Sequence, residues 1–71
     1  MVDVFEGEVQ WFSNERGYGF LSPVDAPEVE YFVHFSSIMV DGFKTLQAKQ
    51  RVNFELRETP KGVQAVEVRP L

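Results

Sequence analysis

Alternation with a period of two residues runs through most of the chain, and it predicts strands. Residues 5–13 (FEGEVQWFS) start on that pattern, with Phe5, Gly7, Val9 and Trp11 on one parity. Residues 17–22 (GYGFLS) set Tyr18 and Phe20 against Gly19 and Leu21. Residues 31–35 (YFVHF) set Phe32 and His34 against Tyr31, Val33 and Phe35. The clearest run is 51–57 (RVNFELR), which predicts Val52, Phe54 and Leu56 inward and Asn53, Glu55 and Arg57 outward. Residues 63–69 (VQAVEVR) place Val66 and Val68 on one face.

Turn signals separate these runs. Asn14-Glu15-Arg16-Gly17 reads as a short hairpin loop, with Gly17 available for a positive φ. Pro23 to Pro27 marks a longer loop, Asp41-Gly42 a turn, and Thr59-Pro60-Lys61-Gly62 a tight hairpin with Pro at its second position. The stretch from Ser36 to Gln50 has no clear period and reads as a helical turn at Ser36–Met39 followed by a long loop. With no repeat, linker or low-complexity segment, residues 1–71 form a single domain. Five short strands predict an all-β fold, a small closed or nearly closed antiparallel barrel that is either OB-like or SH3-like.

Size narrows the function. A chain of 71 residues can bury only about 60% of its unfolded surface, enough for one thin core and too little for an enzyme with an interdomain cleft. With no Cys, disulfides and thiolate zinc sites are excluded, and a reducing cytoplasm is expected. No apolar run exceeds three residues, so no membrane span is expected, and Asp3 and Glu6 argue against a signal peptide. Seven Lys and Arg against eleven Asp and Glu give a net charge of −4, which by itself argues mildly against a phosphate-rich partner.

The aromatic residues point the other way. Eight of them (Trp11, Phe12, Tyr18, Phe20, Tyr31, Phe32, Phe35 and Phe43) fall within residues 11–43. Alternation alone leaves open whether these rings are core, where Phe is usually found. A thin core cannot hold so many, and Leu21 and Val33 already supply inward side chains from the same two strands. Gly19, between Tyr18 and Phe20, lets the barrel curve while its neighbours stand outward. A row of rings on a sheet is a platform for stacking bases, at roughly 1–3 kcal/mol per base.

Residues 15–21 (ERGYGFL) and 31–37 (YFVHFSS) resemble the two RNA-binding signatures of the cold-shock domain. Trp11-Phe12 ahead of them and residues 41–46 (DGFKTL) after them also resemble the bacterial cold-shock proteins. The resemblance runs from Phe5 to about Val68, four segments in the right order and spacing. It implies a five-stranded antiparallel OB-type barrel that binds single-stranded RNA or DNA. On that likeness Trp11, Phe12, Tyr18, Phe20, Phe32, His34, Phe35 and Phe43 form the stacking surface, with Arg16, Lys44 and Lys61 beside the nucleic acid. It also implies that Val9 lies inside while Trp11 reaches the binding face, which strict alternation forbids and a bulge in the first strand would allow.

The sequence departs from the family where charge matters. Glu8 and Gln10 stand where the family usually presents lysines, Ser13 replaces a common Asn, and Arg16 a common Lys. Tyr31 replaces a small aliphatic, and the loop from Pro23 to Glu30 is somewhat longer. Stacking should survive these changes while long-range attraction for phosphate weakens.

Other readings carry less. His34 is the only His, so a metal would need carboxylates alone beside it, and nothing marks an orienting acid for a His34–Ser36 pair. Gly17-x-Gly19 opens no helix and cradles no phosphate. The acidic residues 25–30 (DAPEVE) read as a solvated loop, with a contact from Glu30 to a base amino group as the lesser reading. Two alternatives from another class remain: an SH3-like barrel holding a proline-rich peptide, or a cold-shock-like barrel retuned for a protein partner. The favoured expectation is a non-enzymatic, monomeric, cofactor-free binder of single-stranded RNA or DNA with some preference for pyrimidines.

Overall fold

The structure, a computed structural model, describes residues 3–42 and 45–71. Strands β1 (Phe5–Ser13), β2 (Tyr18–Pro23), β3 (Tyr31–His34), β4 (Arg51–Thr59) and β5 (Gly62–Pro70) close into one barrel in the order β1-β2-β3-β5-β4. A 3₁₀ turn, Phe35–Ser37, follows β3. This is the all-β, five-stranded OB-type barrel expected from the sequence. All pairings are antiparallel except β3 with β5, which run parallel with Phe32 opposite Gln64 and Val33 opposite Ala65. Among the described residues, closure leaves no free sheet edge for another chain to extend. Among the described residues no helix is long and apolar enough to cross a membrane.

Inward side chains from every strand build the core: Val9, Leu21, Val33, Val52, Phe54, Ala65 and Val68, with Ile38 and Leu46 from the irregular stretch. Leu56 packs against this cluster, so the inward set expected for β4 holds. Ile38 closes the barrel end by a parallel bridge to Val68.

Two bulges decide which side chains face outward. In β1 the register moves from Val9–Leu21 to Trp11–Phe20, two residues against one, so Gln10 is the extra residue. Val9 stays in the core and Trp11 turns out. In β5 the register moves from Val66–Glu55 to Arg69–Asn53, three residues against two, and Glu67 takes φ of 51°. Ala65 and Val68 therefore face inward, and Val66 does not share a face with Val68 as simple alternation had it.

Backbone contacts fix the rest. The hairpin loops use Gly17 at φ 76° and Gly62 at φ 117°, conformations that cost a side-chain-bearing residue about 1–2 kcal/mol. Lys49 adopts φ of 69° just before β4, where its N–H donates to the Val9 carbonyl at 2.7 Å and the Val9 N–H donates to the Gln50 carbonyl at 2.9 Å. Gly19 is buried under β1; a Cβ there would overlap the Trp11 carbonyl oxygen and sit 2.7 Å from Phe12 Cα. Neither neighbour can retreat without breaking the β1–β2 ladder. Gly19→Ala should therefore destabilise the fold by at least about 2 kcal/mol. Lys49→Gly relieves the left-handed strain, less the entropy Gly adds to the unfolded chain, for a net gain of about 0.5–1 kcal/mol. Denaturant midpoints at constant slope measure both.

Candidate nucleic-acid interface

Directly opposed residues on neighbouring strands share a face. Outward from the β1 bulge, Trp11 opposes Phe20, Phe20 opposes Phe32, and Tyr18 opposes His34. Four rings thereby meet on the outer surface of β1, β2 and β3. Trp11 lies 5.8 Å from Tyr18 and 5.6 Å from Phe20, centroid to centroid; Tyr18 stacks on Phe32 at 5.5 Å, and Phe20 meets Phe32 edge-on at 6.0 Å. These separations are those of favourable aromatic pairs. Trp11 is 43% exposed, and Tyr18, Phe20 and Phe32 are half-buried with one side open.

His34 and Phe35 extend the row at the end of β3. Their rings lie 4.6 Å apart, and Phe35 is 44% exposed with its ring over Gly17, whose carbonyl accepts from the Phe35 N–H at 2.8 Å. His34 is also the N-cap of the 3₁₀ turn. The Ser36 N–H donates to His34 Nδ1 at 3.3 Å, and Ser36 Oγ lies 2.8 Å from the same nitrogen. A backbone N–H can only donate, so Nδ1 is the acceptor and the ring proton sits on Nε2. Beside this end is an open groove of about 550 Å³ lined by Phe32, His34, Ser36, Lys61 and Gln64, among others.

The remaining expected residues fall in different places. Phe12 opposes the buried Gly19 and packs against the core, on the side away from the four rings. Tyr31 likewise packs inward, its ring 6.2 Å from that of Phe54. Arg16 stands exposed in the β1–β2 loop, its pKa raised by the neighbouring Tyr18 hydroxyl. Lys61 caps the β4–β5 hairpin at the groove. Phe43 and Lys44 lie outside the described residues. Gln64, which completes the groove, was not singled out from the sequence. Simple alternation groups it with Val66 and Val68, and its outward position beside Phe32 follows only from the β5 bulge and the parallel β3–β5 pairing.

Charge on β1 is arranged around Arg51. Its guanidinium reaches Glu6 at 3.0 Å and Glu8 at 3.6 Å, and the Gln10 amide donates to the buried Ser22 Oγ at 3.0 Å. Among the described residues no group of His and carboxylates is placed to hold a metal ion.

An OB-type barrel with paired aromatic strands and an adjoining groove is the architecture of a nucleic-acid-binding domain of the cold-shock type. The family model described as the 'Cold-shock' DNA-binding domain matches residues 5–71. The major cold shock protein of Micrococcus luteus is 51% identical over 65 residues, 92% of this chain and 96% of that protein. A cold shock-like protein of Aquifex aeolicus is 48% identical, covering 94% of each chain, and the cold shock-like protein CspC of Escherichia coli is 46% identical over 89% of this chain and 90% of its own. The chain belongs to the cold-shock domain family.

Rings that are half-open should cost less to remove than rings that fill the core. Phe20→Ala and Phe32→Ala should each lose under about 2 kcal/mol of stability, against about 3–5 kcal/mol for Phe54→Ala, which leaves a cavity. Chemical denaturation of the three variants checks the order; global unfolding of Phe20→Ala and Phe32→Ala at room temperature would show that those rings are core.

Proposed function

We propose that the protein holds single-stranded RNA or DNA by stacking unpaired bases on Trp11, Tyr18, Phe20, Phe32, His34 and Phe35. The observation that supports this is the unbroken contact of four rings, from Trp11 through Tyr18 and Phe20 to Phe32, on one outer face. Bases held there are withdrawn from pairing with one another, which suits an RNA-chaperone or gene-regulatory role for a monomer in the cytoplasm. Stacking tolerates any base, so the preference for pyrimidine runs is modest. Arg16 and Lys61, with Lys44, supply the phosphate contacts, and the chemistry ends at binding.

Phe20→Ala, Phe32→Ala and His34→Ala should each weaken oligothymidine binding by roughly 1–3 kcal/mol. Trp11 fluorescence titrated with oligothymidine, oligoadenine and a proline-rich peptide measures this. Tighter binding of the peptide than of either oligonucleotide would overturn the proposal.

Stacking should also outweigh charge. With about two phosphates neutralised on the aromatic face, the logarithmic salt slope is roughly −1.4, so raising salt from about 50 to 200 mM costs about sevenfold in affinity. A short pyrimidine strand measured across that range should show this shallow decline. A slope steeper than about −3 would mean that phosphate contacts dominate.

A further inference from the structure

The cross-strand row that carries the rings does not stop at β3. Trp11 opposes Phe20, Phe20 opposes Phe32, Phe32 opposes Gln64 across the parallel pairing, and Gln64 opposes Arg57 on β4. Each step joins residues on the same face, so Arg57 projects from the outer surface two strands beyond Phe32. At about 4.8 Å per strand spacing, its Cα lies roughly 10 Å along the sheet from that of Phe32. Strands in a small barrel are tilted, so a row crossing them climbs along the barrel as well as turning around it. Gln64 and Arg57 thus continue the platform past the groove that already holds Phe32, Lys61 and Gln64.

Arg57 is also free to take an anion. Among the described residues, Arg51 is held by Glu6 and Glu8 and Arg69 by Glu67, whereas no ion pair engages the exposed Arg57. Glu55 is the carboxylate two residues away on the same face of β4, and it makes no ion pair with Arg57. A guanidinium on a stiff strand, directly opposite Gln64 in the register, presents the forked donor geometry that suits a phosphodiester.

We propose that single-stranded nucleic acid leaving the rings crosses β5 over Gln64 and is held by a backbone phosphate on Arg57. This extension rests on the stacking function proposed above and adds one phosphate contact to it. It makes the bound length longer than the aromatic face alone defines.

The test compares thymidine tetramers with thymidine decamers in the full chain. Arg57→Gln should flatten the decamer salt slope by about 0.7, so that its affinity deficit grows about eightfold between 1 M and about 50 mM salt. Tetramer binding should be unchanged. Arg69→Gln, removing an equal charge already paired with Glu67, should alter neither slope, and thermal unfolding confirms that both surface variants fold. Equal slopes for Arg57→Gln and the unsubstituted chain, or equal effects of the two arginine variants, would overturn the extension. Phe32→Ala separates the two ideas: weakened binding of both oligomers with no effect of Arg57→Gln removes the extension alone, and unchanged binding removes the platform and the extension with it.

Discussion

Gly19 occupies a place where no side chain fits, and the outer face takes its positions from that contact. Its bare Cα lets β1 close against β2 at Trp11 and Phe12, immediately past the Gln10 bulge. The bulge divides β1 into a half that feeds the core through Val9 and a half that presents Trp11 to solvent. Without the close approach, Phe12 could not pack inward opposite Gly19 while Trp11 meets Phe20 outside. One absent methyl group thus serves both the packing of a thin core and the order of the rings above it.

Those rings are held before any ligand arrives. Each contacts at least one other, and each stands on a strand anchored in the core, β1 by Val9, β2 by Leu21 and β3 by Val33. Rigid aromatic side chains with few rotamers would lose little entropy on receiving a base, an economy that would turn the proposed stacking into net affinity. His34 is restrained differently, through its Nδ1 cap on the 3₁₀ turn. The Glu6–Arg51–Glu8 cluster on β1 is exposed and adds little to stability. Its effect is to keep the lower half of β1 acidic, so the phosphate contacts proposed above lie toward Arg16, Lys61 and the far side of β5.

Much of this was legible in the sequence because period-two alternation reports burial directly wherever a strand is regular. The inward set of β4 is of that kind; alternation put the rings of β2 and β3 on common faces, but their outward direction came from the excess of rings over core volume and from the family likeness. The bulge in β1 was accessible only through family resemblance, since no local residue announces it. The one in β5 was not anticipated: Glu67 adopts a conformation that Gly or Asn would have signalled, so Val66 was assigned to the face that Ala65 and Val68 share. Parallel pairing of β3 with β5 joins residues more than thirty positions apart, and no local pattern encodes which strands become neighbours after a long irregular connection. For that reason Gln64 stayed unremarked and Arg57 was read only as an outward residue of β4, while Phe12 was placed with the platform by the family likeness.

An aromatic surface left open to water is adhesive toward its own kind. Two copies meeting ring to ring would bury the face proposed for nucleic acid, and the closed barrel leaves that face as the obvious place for such an encounter. The net charge of −4 opposes it at a distance, because every copy carries the same sign. The acidity that looked unfavourable for a phosphate-binding protein would therefore act on colloidal behaviour, since like charge opposes the approach of molecules whose bare rings would otherwise draw them together.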